Sequence, residues 1–122
     1  MWMITPVGFF SIVQKLSDKS KGTLTVRARV KSDLDNLKQH YLPELGEITK
    51  TNNTDYRYRA VAPRSAVAAA MTRLIDELGY DNFKNEVARR QGYERAHLYH
   101  GVWDVLYRMQ HNNSFEANGE IG

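Results

Sequence analysis

The sequence predicts an α+β fold: a four-stranded antiparallel sheet, in the element order ββαββααα, with the helices packed on one face. Three observations predict this fold. Residues 23–30 alternate apolar and polar side chains with the period of a half-buried strand. Residues 64–78 are rich in alanine, which favours a helix. Polar segments at 17–22 and 51–54 separate pairs of strand-like runs, as the turns of two hairpins do.

The first predicted hairpin joins residues 7–15, a run of β-branched and aromatic residues, to residues 23–30. In the second run the apolar side chains point to one face of the sheet, which places Arg27 and Arg29 on the other face. A short helix follows, because segment 32–35 supplies an N-cap and acidic residues for a first helical turn.

The second predicted hairpin consists of a short strand at 47–50 and a longer strand at 55–62. Three helices then complete the chain, at about 64–78, 81–91 and 94–110. In the last of these helices Trp103, Leu106 and Tyr107 recur at helical spacing. We therefore expect these three side chains to pack in the core.

A chain of 122 residues fits one domain, which we expect to span residues 1–110. Residues 111–122 are polar and lack periodicity, which predicts a disordered C-terminal tail. No apolar run reaches the roughly 20 residues of a membrane span, and the N-terminus lacks the features of a signal peptide. The absence of cysteine excludes disulfides and thiolate zinc sites. We therefore expect a cytoplasmic protein with no metal, no cofactor and no membrane partner.

The net charge of +3 is unevenly placed, because residues 1–31 alone carry six basic side chains and one acid. If Tyr56 and Tyr58 face the helices, strand parity gathers basic and aromatic residues on the face that the helices leave bare. The predicted ligand-binding residues there are Phe9, Ser11, Lys15, Arg27, Arg29, Arg57 and Arg59. Guanidinium groups bind phosphate oxygens in pairs, and an aromatic ring on a sheet stacks on a base. These residues predict a site for a phosphate-bearing ligand, either a nucleotide or single-stranded nucleic acid.

Two other interpretations of the same face stay open. Outward arginines often form only a solvated face that protects a sheet from aggregation. Arginine and aromatic residues are also enriched at protein interfaces. In that case Phe9 and Val13 would be the apolar anchors for a homodimer or for a host protein target. An inhibitor that acts by protein–protein contact is therefore the alternative function.

A third interpretation is a metal-independent nuclease or phosphodiesterase. His97 and His100 lie three residues apart, whereas four is the more usual spacing for zinc, so we expect one packed and one exposed histidine. A histidine beside a cation can act as acid or base on a phosphodiester, and His100 with Lys84 or Arg59 is the candidate pair. No phosphate loop, serine-hydrolase motif or zinc-protease motif occurs. Binding is therefore the expected class rather than catalysis.

Five segments of the chain carry a resemblance to a known family. They are GFFSIVQK (8–15), VRARV (26–30), DYRYR (55–59), YDNFK (80–84) and YHGVW (99–103). In these blocks the chain resembles a small, widespread family of bacterial and phage-borne proteins that has no established activity. The blocks follow one another over residues 1–110, so the resemblance implies a domain that is complete in itself. Phage-borne relatives imply a role in defence or counter-defence, such as an anti-CRISPR-like inhibitor or the sequestration of a nucleotide signal.

Overall fold

The structure is a computed structural model that describes residues 1–117. It has the predicted α+β architecture with an antiparallel sheet. The chain divides into two compact units, Met1–Tyr80 and Asp81–Gly122, where the sequence led us to expect one domain over 1–110. The first unit contains the whole sheet and two helices, and the second unit is helical.

The sheet has five strands rather than the predicted four. In chain order they are β1 (Trp2–Thr5), β2 (Gly8–Val13), β3 (Thr23–Ala28), β4 (Thr49–Lys50) and β5 (Tyr58–Pro63). They lie side by side in the order β1-β2-β3-β5-β4, and every neighbouring pair is antiparallel. The additional strand is β1, which the sequence analysis did not assign to any element.

A tight turn at 5–8 explains why β1 pairs with β2. The Thr5 hydroxyl accepts hydrogen bonds from the backbone N–H groups of Val7 and Gly8 at 3.2 Å and donates to the Gly8 carbonyl at 2.9 Å. Gly8 is required because a Cβ there would lie 2.7 Å from the side chain of Asp33. These local bonds fold Trp2–Thr5 back onto the next strand, although four residues give only a weak pattern in the sequence.

Two helices of the first unit, α1 (Lys31–His40) and α2 (Arg64–Asp76), cover one face of the sheet. The core lies between these helices and the strands. Its fully buried members include Phe10 and Val26 from the strands and Leu34 and Leu37 from α1. The opposite face of the sheet, which we call the open face, has neither helix packed on it.

The prediction that Tyr56 and Tyr58 share one face is wrong. The strand begins at Tyr58 rather than at 55, because residues 51–57 form a loop held by the Thr51 N–H, which donates to the Arg57 carbonyl at 2.8 Å. Strand alternation therefore does not extend to Tyr56. Its ring instead contacts Phe9, whose side chain belongs to the open face.

The second unit consists of α3 (Phe83–Gln91), α4 (Tyr93–Tyr107), a 3-10 turn at Arg108–His111 and α5 (Asn113–Ala117). The short helix α5 lies inside the predicted disordered tail; the Asn112 side chain accepts a hydrogen bond from the Ser114 N–H at its start. The rest of that tail, residues 118–122, lies outside the described residues. None of the helices within residues 1–117 has the length and apolar character needed to cross a bilayer.

The prediction that Trp103, Leu106 and Tyr107 pack in the core is also wrong. These side chains are 51%, 56% and 41% exposed. Helical spacing places them along neighbouring faces of α4, but the nine-residue helix α3 is too short to cover that end of α4.

Candidate functional site

A single row of side chains crosses the open face, with one residue from each strand. The strand register pairs Trp2 with Ser11, Ser11 with Arg27, Arg27 with Arg59, and Arg59 with Thr49. Directly paired residues project to the same side of a sheet. These five residues, which we call the central row, therefore form one continuous surface, with the two arginines next to each other.

The arginines of the central row are held by neutral groups. Arg27 donates from Nη2 to the Ser11 hydroxyl at 2.7 Å. Arg59 donates from Nη2 to the Thr54 hydroxyl at 3.0 Å and to the Tyr56 carbonyl at 3.4 Å. Among residues 1–117 neither guanidinium group pairs with a carboxylate, and the buried Nε of each has no hydrogen-bond partner. Two adjacent cations thus retain hydrogen-bonding capacity that the described chain does not use.

Tyr56 orders the arginines at one end of this surface. Its ring lies 4.6 Å from the Arg27 guanidinium carbon and 4.3 Å from that of Arg29, at cation–π distance from both. The side chain is almost fully buried, and its hydroxyl has no hydrogen-bond partner within the described chain. The ring stack therefore fixes the arginine stems while the charged groups stay close to the open face.

Aromatic rings extend from Tyr56 across the first strands. The Phe9 ring lies 6.4 Å from that of Tyr56 and contacts the Trp2 ring edge-on at 6.1 Å. Trp2 is 73% exposed, so most of its indole is accessible. An exposed indole in the same row as two arginines is a surface on which a nucleobase can stack.

A groove of about 840 Å³ runs along the same side of the sheet. Its lining includes Lys15, Thr25, Thr49, Arg59 and Val61, together with Glu47. This lining places two cations and one carboxylate beside apolar side chains such as Leu16 and Val61, so the groove combines positive charge with apolar surface. The groove begins at the Lys15 end and reaches the central row at Arg59.

A buried carboxylate positions the Lys15 end of the groove. Asp18 accepts hydrogen bonds from the Thr23 hydroxyl at 2.6 Å, the Lys15 N–H at 2.8 Å and the Thr25 hydroxyl at 2.8 Å. The Thr23 hydrogen bond is the largest cause that lowers the pKa of Asp18, and together with the other two it outweighs burial, which raises the pKa. Asp18 thereby joins the 3-10 turn at Leu16–Asp18 to β3.

The structure brings some of the predicted binding residues together and not others. Ser11, Arg27 and Arg59 lie in the central row, Phe9 in the aromatic strip and Lys15 in the groove. Arg29 lies beyond the end of β3, where it donates to the Asp55 carbonyl at 3.1 Å. Arg57 lies in the loop before β5 and is exposed.

Three residues of this surface were not predicted from the sequence: Trp2, Thr49 and Tyr56. The alternation of Trp2 and Ile4 with Met3 and Thr5 was the only signal for Trp2, and it spans four residues. Nothing in the sequence indicates that Tyr56 leaves the strand, because that depends on the loop conformation at 51–57.

The helical unit brings together the pair that sequence analysis named as candidate catalytic residues. Lys84 Nζ lies 2.9 Å from His100 Nδ1, and His100 Nε2 lies 3.7 Å from an Asp104 carboxylate oxygen. Because an ammonium group only donates, His100 Nδ1 is the acceptor of this hydrogen bond. His97 and His100 both line an adjacent pocket of about 400 Å³. The other candidate cation, Arg59, belongs to the sheet unit.

Metal ligation is not indicated within the described part of the chain, where no group of three His, Asp or Glu side chains is placed to hold an ion. Comparisons of the chain with protein-family models, with curated proteins and with solved structures found no match. The function of the chain is therefore inferred from the geometry of its two units.

Proposed function

We propose that the protein binds a phosphate-bearing ligand, a nucleotide or single-stranded nucleic acid, through the central row on the open face. One observation carries this proposal. Arg27 and Arg59 lie opposite each other in the β3–β5 register, held by neutral partners, each with an Nε that has no partner in the described chain. Leaving such a donor unpaired costs about 1–3 kcal/mol, which favours a small rotation toward a ligand oxygen.

The neighbouring rings support a ligand that also carries bases. Trp2 lies three strands from Arg59 in the central row, a distance of about 14 Å at the usual spacing between strands. A chain of a few nucleotides is long enough to place one base on Trp2 and a phosphate between the arginines. Base stacking requires an unpaired base, so a single strand fits this surface better than a duplex does.

The test is fluorescence anisotropy with a labelled single strand of about ten nucleotides, a typical footprint on a sheet-face binding domain. We expect Arg59→Gln to weaken binding about 10-fold and to reduce the salt dependence by about one phosphate contact. Trp2→Ala removes a stacking surface, so we expect a loss of about 10-fold that is largely independent of salt.

Arg73→Gln is the matched control, because it removes the same charge from α2, on the other face of the sheet. We expect this variant to bind as the unsubstituted protein does. Equal losses in Arg73→Gln and Arg59→Gln would mean that only net charge matters, and absence of binding at low salt would overturn the proposal. A mononucleotide that competes as well as the ten-residue strand would identify the ligand as a nucleotide.

A second candidate function, a metal-independent phosphodiesterase, is favoured by the contact between Lys84 and His100. In such a reaction Lys84 stabilises the phosphate charge, and His100 transfers a proton to or from an oxygen at phosphorus. The test is hydrolysis of a short RNA in the presence of a chelator. We expect His100→Gln and Lys84→Gln each to lower the rate at least 100-fold, while His40→Gln, on α1, leaves it unchanged. Activity that survives His100→Gln would remove this function.

A further inference from the structure

We propose that two copies of the chain associate through α4, with the two helices packed antiparallel. The contact surface is an apolar row whose members are spaced four, three and four residues apart: Leu98, Val102, Val105 and Met109, the last in the 3-10 turn that continues α4. They are 64%, 36%, 55% and 47% exposed. Alternating steps of three and four residues are the a and d positions of a coiled-coil seam. We call this row the α4 seam.

The helical unit has a small core among its described residues. Its described buried side chains are Val87, Ala96 and Tyr99. Units of about 40 residues need disulfides, metals or association to stay folded, and this chain contains no cysteine. A row of four exposed apolar side chains along one helix is typical of an interaction surface. A partner that covers the α4 seam would supply the missing core.

The seam does not face the helix that α4 already packs against. Tyr99 is buried on the side toward α3, where its ring stacks on Phe83 at 6.0 Å. Leu98 and Val105 lie about 100–120° around the helix from Tyr99, because successive residues are about 100° apart. A second helix therefore has room to pack along the seam while the α3–α4 contact stays in place.

Charge complementarity identifies that second helix as α4 of another copy. With the seam at the a and d positions, Glu94, Gly101 and Arg108 occupy three successive g positions, seven residues apart. In an antiparallel pair g positions face g positions. When Gly101 lies opposite Gly101 of the partner subunit, Leu98 packs against Val102 of the partner subunit and Glu94 lies opposite Arg108 of the partner subunit. The same contacts form again at the other end, so Leu98 and Val102 make the centre of the contact, with Val105 and Met109 toward its ends. The exposed helix is therefore electrostatically complementary to itself.

Gly101 is consistent with a closely packed helix pair. It lies in the middle of α4, and a Cβ built on it would meet nothing within 4 Å. A glycine in an exposed helix costs about 1 kcal/mol relative to alanine, so its presence calls for a packing reason. At the crossing point of two helices, the missing side chain lets the backbones approach each other.

The charge pattern provides a test that no contact within one chain can mimic. Glu94 and Arg108 lie fourteen residues apart, about 21 Å along a helix, so they cannot pair within one α4. Oligomeric state is measured by sedimentation equilibrium of the full chain over a concentration series. We expect the unsubstituted protein to form a dimer.

In a dimer of the Glu94→Arg variant, each new arginine faces Arg108 of the partner subunit. In a dimer of the Arg108→Glu variant, each new glutamate faces Glu94 of the partner subunit. Each single change should weaken the dimer about 10-fold at low salt, as like charges replace two attractive pairs. Combining both changes in one chain, or mixing the two single variants in equal amounts, should restore the affinity. Far-UV circular dichroism checks that each variant keeps its helix content.

Three results would overturn the proposal: a monomer at every concentration, single variants that dimerise as well as the unsubstituted protein, or a double variant that remains as weak as the single variants. Leu98→Asp adds an independent measurement, because a charge in the seam should abolish the dimer. A dimer that tolerates Leu98→Asp forms through another surface, which would also contradict the proposal. None of these outcomes depends on nucleic-acid binding by the open face.

Discussion

The sheet unit and the helical unit differ in how far they bury their large apolar side chains. In the sheet unit the large apolar side chains Phe10, Leu34 and Leu37 are fully buried between strands and helices. In the helical unit Leu98, Val105 and other apolar residues of α4 are more than half exposed. The sheet unit therefore buries its large apolar side chains in its own core, whereas the helical unit leaves several of its large apolar side chains exposed.

The surface of α3 and the central row of the open face differ in how their arginines are paired. On α3 the Glu86 carboxylate pairs with Arg89 at 2.7 Å and with Arg90 at 3.0 Å. The hydrogen bond from Arg89 is the main cause that lowers the pKa of Glu86. On the open face, Arg27 and Arg59 have only neutral partners. Arginines paired with a nearby carboxylate are typical of a structural helix surface. Arginines without a carboxylate partner, as in the central row, are typical of a surface that binds an anion.

The largest expected effect on the free energy of unfolding comes from a substitution in the core of the sheet unit. Phe10→Ala should lower the free energy of unfolding by about 4 kcal/mol, because Phe10 is fully buried and its removal leaves a cavity. Leu106→Ala, at an exposed position of α4, is the control and should change that free energy by less than about 0.5 kcal/mol. Urea denaturation measures both. Similar losses in the two variants would contradict the contrast between the units.

A smaller effect concerns the carboxylate that holds the groove. Asp18→Asn should lower the free energy of unfolding by about 2 kcal/mol at neutral pH, because an amide cannot accept all three hydrogen bonds. The pKa of Asp18 is lowered in the folded state, so its contribution is present above the ordinary pKa of an aspartate and is lost as the pH falls through the lowered value.

Denaturation midpoints measured at several acidic pH values check this sign. The stability difference between Asp18→Asn and the unsubstituted protein should shrink as the solution is acidified. A difference that stays constant or grows on acidification would mean that the Asp18 carboxylate does not stabilise the fold in its charged form.

The smallest expected effect is that of Gly101→Ala, which raises or lowers stability according to whether a second α4 packs against the helix. In an isolated α4, Gly101→Ala would stabilise the helix by about 1 kcal/mol through helix propensity. In the proposed dimer the added methyl group lies at the helix crossing, so Gly101→Ala should weaken association. Thermal unfolding followed at two protein concentrations separates the cases, since only a dimer has a concentration-dependent midpoint. A uniform gain in stability at both concentrations would contradict the packed crossing.

The alternation of side chains along a strand predicted correctly which face of the sheet most residues occupy, and where it failed the reason is physical. The regular alternation in 23–30 placed Arg27 on the face of Ser11, because β3 is paired on both sides and cannot shift without exposing Val26. The same rule failed for Tyr56, because the chain leaves the sheet before that residue. Alternation predicts a face only where the backbone is extended, and a short segment does not reveal where extension begins.

The spacing of apolar residues predicted the last helix but not the burial of its side chains. It correctly indicated a helix through Trp103 and Tyr107, but spacing shows only which residues share a face, not whether another element covers that face. Covering depends on the length of α3, which ends at Gln91. From the sequence, Lys84 and His100 could be paired only because their residue types suit phosphodiester chemistry. Their short distance results from the packing of α3 on α4.

The fluorescence of Trp2 tests the central claim most directly. The chain has two tryptophans, so Trp103→Phe leaves Trp2 on the open face as the only reporter. Titration with a single strand of about ten nucleotides should quench its emission. With Arg27, Arg59 and Lys15 each neutralising one phosphate, affinity should fall roughly 20-fold between about 50 and 200 mM salt. Emission that stays unchanged while anisotropy reports binding would place the ligand elsewhere and contradict the account.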